Sequence, residues 1–185
     1  VERISSVKII NITDIENKIG IPLKQGYILV TIHPPTQNQV DIKEFVNQIF
    51  KALDKFNSLP IIMSYANADF GGKIINKMKI EFCKKDPENR IVKKNLGQEL
   101  YINLMKNATM MVGNSSSGLI EAPITNTPVV NIGNRQDGRI LTSNVISVKA
   151  KTKDIYSALI KITNMNINIL DKHPFGNGQT SKNIL

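Results

Sequence analysis

The sequence is poor in the residues that build disulfides, metal sites and stacking surfaces. Its 185 residues include one cysteine, two histidines, no tryptophan and 5% aromatic residues. The single Cys83 excludes an intrachain disulfide, and its place on the apolar side of a predicted helix favours packing over a catalytic thiol. Two distant histidines and one cysteine give no metal-ligand spacing, and neither a Walker loop nor a GxSxG motif is present. We therefore expect no metal site and no cofactor.

Long apolar runs are missing as well. No stretch approaches the about 18 apolar residues of a membrane helix, and no signal-peptide pattern opens the chain. Together with the lack of disulfides, this predicts a cytoplasmic protein without membrane contact. The net charge of +9 suits an acidic partner, either nucleic acid or a phosphorylated small molecule. The scarcity of aromatic rings argues against nucleic acid.

The 41% hydrophobic content is enough for one well-packed domain. Apolar runs of strand length alternate with segments of helical period. The predicted strands cover residues 27–33, 60–65, 90–92, 110–113, 129–132 and 145–148. The predicted helices cover residues 41–56, 72–82, 96–108, 118–124 and 152–163. This alternation predicts an α/β fold with a parallel, doubly wound, Rossmann-like sheet.

The most informative segment is GNSSSGLIEAP at residues 113–123. It reads as the end of a buried strand, a Gly/Ser-rich turn and the start of a helix. A helix start offers unpaired N–H groups and a positive dipole end to phosphate oxygens, and Ser115, Ser116 and Ser117 add hydroxyls. Glu121, expected one or two turns into the helix, could accept from sugar hydroxyls. The segment predicts an anion pocket, although the same residues are also common in ordinary turns and N-caps.

Further polar residues follow other predicted strands. The segment PVVNIGNRQDGR at residues 128–139 places Arg135 and Arg139 after a strand, where they could bind a diphosphate. His33 follows the first strand and Asn67 the second. Because parallel strands end at one edge of the sheet, we expect these residues to converge with the serines. A structural role for His33, a plain turn at Asn67 and surface roles for the arginines stay open.

Five blocks of this sequence, in their order and spacing, resemble the C-terminal half of the UDP-N-acetylglucosamine 2-epimerase family. Besides the two segments above, they are YILVTIHPPT at 27–36, NADFGG at 67–72 and HPFGNGQTSKNIL at 173–185. Residues 114–117, Asn-Ser-Ser-Ser, and the later Gly-x-Arg-Gln-x-Gly-Arg run are similar to the hydrolysing branch, which makes N-acetylmannosamine for sialic-acid-type sugars. Non-hydrolysing bacterial epimerases typically carry Asp-Ser-Gly-Gly at these four positions.

The resemblance implies half of a two-domain, GT-B-like enzyme. Residues 1–20 would be a linker or remnant of the N-terminal domain, 21–172 the UDP-binding domain, and 173–185 a crossover segment and the start of a C-terminal helix. Val1 stands where a natural chain would have Met, which suggests a piece of a longer protein. The family's acid and base carboxylates lie mainly in the N-terminal domain, so this piece alone is expected to be inactive.

The chemistry implied by the family begins as UDP leaves C1 of the sugar while a base removes the C2 proton; in the hydrolysing branch, water then adds at C1. The resemblance assigns His33 and Arg135 to catalysis, by stabilising the leaving diphosphate. It assigns a second group to binding the diphosphate and ribose of UDP or a UDP-N-acetylhexosamine: Asn67, Ser115, Ser116, Ser117, Glu121 and Arg139.

Several alternatives stay open on the sequence alone. The chain could belong to a non-hydrolysing epimerase, to a GT-B glycosyltransferase with a similar nucleotide-binding half, or to a non-catalytic nucleotide-binding module. The sequence also leaves open whether the sugar is N-acetylglucosamine or a diacetamido relative, and whether the protein forms a homodimer.

Overall fold

The computed structural model describes residues 4, 6–35, 40–67 and 71–164 of the chain. Strands and helices alternate along these ranges as the sequence predicts. The strands are β1 (Ile28–Thr31), β2 (Ile61–Ser64), β3 (Arg90–Lys93), β4 (Met110–Gly113), β5 (Val129–Ile132) and β6 (Val145–Val148). The helices are α1 (Ile12–Ile19), α2 (Ile42–Lys55), α3 (Gly72–Lys84), α4 (Gly97–Asn107), α5 (Ser117–Ile120) and α6 (Thr152–Thr163).

The six strands form one parallel sheet in the order β3-β2-β1-β4-β5-β6. The chain therefore starts in the middle of the sheet, builds outward to one edge, and returns to build the other half. This is the Rossmann-like order, and it confirms the predicted fold class. The direction of winding reverses between β1 and β4, so the loops that follow these two strands part and leave a crevice between them.

Both faces of the sheet are covered, which explains why its central strands are rich in apolar residues. Ile28 and Val30 of β1 pack with α2, α3 and α6 on one face, and Leu29 packs with α1 and α4 on the other. The four residues of β1 are buried, as are those of β4 and β5. Within the described ranges, no helix combines the length and apolar character needed to cross a bilayer.

Helix α1 lies in the segment for which the sequence predicts only a linker or remnant. Asn11 caps its start by accepting from the Asp14 N–H at 2.8 Å, and Gly20 ends it in the left-handed conformation. Ile15 and Ile19 are fully buried in the core that α1 shares with α4. Residues 12–19 therefore pack as part of this domain.

Helix α5 is shorter than the predicted helix at 118–124. It ends at Ile120, and the N–H groups of Glu121 and Ala122 both donate to the Ser117 carbonyl. Pro123 has no N–H and disfavours helical geometry at the residue before it, so the helix gives way to turns. Glu121 consequently caps a four-residue helix instead of lying one or two turns inside a longer one.

Several parts of the sequence predictions fall outside the described residues. They include the crossover segment at 173–185, the end of the predicted domain at 165–172, the middle of the NADFGG loop at 68–70 and the last residue of the block at 27–36.

Candidate functional site

The loops that follow β1, β2, β3 and β4 line an open cavity of about 380 Å³ at the carboxyl edge of the sheet. The predicted residues His33, Asn67, Ser115 and Ser117 all line it. The rest of the lining comes from the same strand ends and from the start of α4: Thr31, Ser64, Tyr65, Lys94, Asn95, Leu96, Gly97, Gln98 and Tyr101. The expected convergence of strand-end residues is therefore observed for these four.

Asn114 joins the two central strand ends. Its Oδ1 accepts from the His33 N–H at 2.8 Å, and its Nδ2 donates to the His33 carbonyl at 2.9 Å. Its own N–H donates to the Thr31 carbonyl. Only 1% of Asn114 is exposed, so these bonds are shielded from water. The loop that carries the serines is thus fixed relative to His33.

Arg135 reaches the same residue from the end of β5. Its Nη1 donates to the Asn114 carbonyl at 3.1 Å, and the neighbouring Gln136 donates to that carbonyl through Nε2 at 2.9 Å. Arg135 Nε and Gln136 Oε1 are buried and have no hydrogen-bond partner among the described residues. A buried guanidinium N–H without an acceptor is uncommon and leaves this group able to bind an anion.

His33 is held in one orientation. It is 7% exposed, and its Nδ1 accepts from the Asn67 N–H at 3.2 Å. Since a neutral imidazole carries one proton, an accepting Nδ1 places that proton on Nε2. His33 is therefore set up as an Nε2–H donor.

Ser115 and Ser117 form a small hydroxyl cluster with Tyr101. Ser117 donates to Ser115 Oγ through both its N–H, at 3.3 Å, and its hydroxyl, at 2.9 Å. The Tyr101 hydroxyl lies 2.7 Å from Ser117 Oγ and 3.4 Å from Thr31 Oγ1. Burial raises the pKa of Tyr101, and the nearby Glu121 carboxylate raises it further. Tyr101 is thus a neutral hydroxyl that orients the serines, and it was not among the predicted site residues.

Arg135 and the remaining predicted residues lie outside the cavity lining. Ser116 is half-buried, with its carbonyl accepting from α5. Glu121 is half-buried near Tyr101, and burial raises its pKa. Arg139 is exposed on the turn after β5. Their roles in binding stay predictions.

Lys79 is a second residue that the sequence prediction missed. It lies on α3 and is fully buried, and its Nζ donates to the Ile32 carbonyl at 3.0 Å and the Ser64 carbonyl at 2.7 Å. Its sequence signal is its spacing, because it follows Ile75 by four residues and precedes Phe82 by three. A lysine on the apolar stripe of an amphipathic helix is a candidate for a buried polar role.

Other features of the surface do not point to a second site. A larger cavity of about 830 Å³ lies at the opposite edge of the sheet beside Gly20, Pro60 and Asn89, and none of the predicted site residues lines it. Ligands of parallel α/β sheets bind at the carboxyl edge, so we favour the smaller cavity there. Among the described residues, no three His, Cys, Asp or Glu side chains cluster as metal ligands would.

Comparisons with known proteins show the family of this chain. The model of the family described as UDP-N-acetylglucosamine 2-epimerase matches residues 4–185. A GDP/UDP-N,N'-diacetylbacillosamine 2-epimerase (hydrolyzing) from Campylobacter jejuni is 36% identical over 151 residues, which is 82% of this chain and 39% of that protein. The polysialic acid biosynthesis protein P7 of Escherichia coli is 32% identical over 155 residues, 83% of this chain and 39% of that protein.

The fold is also found in solved structures. The UDP-GlcNAc 2-epimerase of Methanocaldococcus jannaschii, crystallised with UDP-GlcNAc and UDP, superposes with a TM-score of 0.73 at 22% identity. The superposition covers 98% of this chain and 48% of that one. This chain therefore spans less than half the length of the relatives it matches.

Proposed function

This chain belongs to the UDP-N-acetylglucosamine 2-epimerase family, and we propose that it contributes the UDP-binding domain of such an enzyme, with α1 packed as part of that domain. The observation that carries the proposal is the set of hydrogen bonds through Asn114, which links His33, the serine turn and Arg135 at the ends of β1, β4 and β5. All three of these groups present donors, and a diphosphate is rich in acceptors.

The proposed binding roles follow from the hydrogen-bonding capacity of each side chain. His33, with Nδ1 accepting from Asn67, carries the proton of its neutral ring on Nε2, and Arg135 offers the buried Nε–H that lacks a partner among the described residues. The turn before α5 adds the serine hydroxyls and backbone N–H groups, and Asn67 adds an amide beside His33. For Glu121 and Arg139 we propose the roles predicted from the sequence, Glu121 at the ribose and Arg139 at the phosphates.

In the proposed reaction, negative charge grows on the diphosphate as the C1–O bond of the sugar breaks. Donors that are already oriented stabilise this charge without reorganising, and they act more strongly where water is excluded. His33 and Arg135 are the catalytic residues in this sense. The groups that remove and return protons on the sugar would come from a preceding domain, because the family relatives are more than twice as long as their match to this chain.

For the whole protein we favour hydrolytic release of UDP and a 2-epimeric sugar, used in sialic-acid-type biosynthesis. Two observations support this choice over simple epimerisation. The turn reads Asn-Ser-Ser-Ser, and relatives at 36% and 32% identity are named as a hydrolysing 2-epimerase and a polysialic acid biosynthesis protein.

The binding role is tested by titrating the complete protein with UDP, using UMP for comparison. We expect Arg135→Ala to weaken UDP binding at least about tenfold, equivalent to about 1.4 kcal/mol, and to affect UMP less. Lys24→Ala is the matched control, since it removes one positive charge at the opposite edge of the sheet. Equal losses in both variants would reject a specific role for Arg135, and no UDP binding by the wild-type protein would reject the proposed function.

The reaction is tested by following UDP-N-acetylglucosamine, and a UDP-diacetamido sugar, by NMR. Hydrolysis consumes one water and yields free 2-epimeric sugar plus UDP in equal amounts. Accumulation of the epimeric nucleotide sugar without UDP release would identify a non-hydrolysing enzyme instead.

A further inference from the structure

A fully buried lysine lies directly behind the candidate site. Lys79 Nζ donates to the carbonyls of Ile32 and Ser64, which belong to the ends of two neighbouring strands. None of the ion pairs among the described residues includes Lys79. Burying an ammonium with only carbonyl dipoles as partners is costly, so it calls for a reason other than packing.

The two carbonyls lie where β1 and β2 lead into the loops that form the cavity. Ile32 immediately precedes His33, and Ser64 lies three residues before Asn67 and itself lines the cavity. The same two loops are joined by a second contact, in which the Asn67 N–H donates to His33 Nδ1. The ammonium and the imidazole thus tie together the same pair of loops.

The next inference rests on the proposed function. We propose that Lys79 is a positioning residue for the diphosphate site. Its ammonium holds the ends of β1 and β2 at the spacing that His33 and Asn67 require, and its charge favours an anion in the adjoining cavity. In a weakly polar interior this charge acts over longer distances than it would in water.

Few other charges surround this ammonium. Among the described residues, the titratable groups around it are His33 beyond β1 and Cys83 one turn further along α3. Beyond Cys83 lies Arg90 of β3, whose guanidinium pairs with Asp54 of α2. Burial lowers the pKa of Lys79 from its usual range to about 7, so its charge is sensitive to a nearby anion at neutral pH.

The first test compares UDP affinity between the wild-type protein and Lys79→Met across pH 6 to 9, using the complete protein. Methionine keeps most of the side-chain volume and removes the charge. We expect Lys79→Met to bind UDP about tenfold more weakly at pH 6, with the ratio to wild type shrinking as Lys79 loses its proton. A ratio of one at every pH, or a constant ratio, would overturn the proposal, because a purely structural role does not depend on pH. Taking the ratio of the two affinities also cancels the titration of UDP itself.

The matched control is Lys77→Met, an exposed lysine on the same helix, which should leave the affinity unchanged. A second measurement does not depend on the variant folding. In wild-type protein with 13C-labelled lysine side chains, one Cε signal should titrate near neutral pH, and saturating UDP should move its midpoint upward. If UDP binds and no lysine signal shifts its midpoint, the positioning role is wrong while the proposed function stands.

Discussion

Asn114 and His33 exchange two hydrogen bonds across the switch point of the sheet. The His33 N–H donates to Asn114 Oδ1, and Asn114 Nδ2 donates back to the His33 carbonyl. The pairing requires one donor and one acceptor on the same side chain, which a carboxamide supplies and a carboxylate does not. The amide therefore fixes the geometry between the end of β1 and the serine turn after β4.

Replacing this amide by an acid is expected to disrupt the junction. In Asn114→Asp, a carboxylate oxygen would face the His33 carbonyl in a buried site, so we expect a loss of about 2–3 kcal/mol in the free energy of unfolding and weaker UDP binding. Urea denaturation at neutral pH measures the first quantity and titration measures the second. Asn47→Asp makes the same chemical change on the exposed side of α2 and should cost little. Similar stability of the two variants would contradict this account.

Gly113 has no room for a side chain. Its φ is 147°, and an added Cβ would lie 2.0 Å from the Thr31 carbonyl oxygen, in the backbone of the paired strand. We expect Gly113→Ala to destabilise the protein by more than about 3 kcal/mol, since neither strand can move away without breaking the sheet. Gly20→Ala is the control, because its φ of 93° is also positive but an added Cβ there meets nothing within 4 Å. Thermal unfolding measures the stability lost in each variant. Gly20→Ala should lose only the conformational cost of about 1 kcal/mol, and the additional loss in Gly113→Ala is the cost of the clash.

Lys79 should give the protein a characteristic dependence of stability on pH. Its pKa is about 7 in the folded protein and near 10.5 when the chain is unfolded, so the unfolded state binds more protons between these values. Stability therefore rises with pH across this window, by at most about 1.4 kcal/mol per pH unit from this residue. Below pH 7 both states are protonated and the contribution is flat.

Denaturation from pH 6 to 10 checks this expectation. As pH rises, the free energy of unfolding of the wild-type protein should increase relative to that of Lys79→Met. The difference between wild type and Lys77→Met should stay constant. A constant difference for both variants would mean that Lys79 keeps an ordinary pKa in the folded protein.

Tyr101 is expected to influence binding through Ser117. Tyr101→Phe keeps the ring and removes the hydroxyl that lies 2.7 Å from Ser117 Oγ, so the stability should fall by about 1 kcal/mol. UDP affinity should fall a few-fold because the serine loses its orienting partner. Tyr156→Phe, on α6 at a distance from the cavity, is the matched control for loss of a tyrosine hydroxyl. Unchanged UDP affinity in Tyr101→Phe would show that the serines need no such support.

The sequence by itself determined the layers of the fold. Strand-length apolar runs such as 110–113 and amphipathic stripes such as the one within 41–56 encode their structure locally, through periodicity and caps. Asp41, predicted near the start of the second helix, does cap it by accepting from two backbone N–H groups. Because strands and helices alternate, the helices can cover both faces of a parallel sheet, and this predicts the fold class. Helix α1 was missed because its short apolar pattern gains its stability from packing on α4.

The sequence also named much of the site, because residues that directly follow parallel strands share an edge whatever the strand order. His33, Asn67, Ser115 and Ser117 line one cavity for this reason. The sequence did not determine the order of the strands in the sheet. Only the tertiary structure placed β1 beside β4 and so made His33 and Asn114 partners, although 81 residues separate them.

Tertiary structure alone also decided the roles of Lys79 and Tyr101. Each lies within a helix, far along the chain from the loops it contacts, and no local pattern records which carbonyl or hydroxyl it will meet. Local periodicity specifies which face of a helix is buried, but the partner of a buried polar group depends on how separate elements pack. That packing placed a lysine behind the strand ends and a tyrosine beside the serine turn.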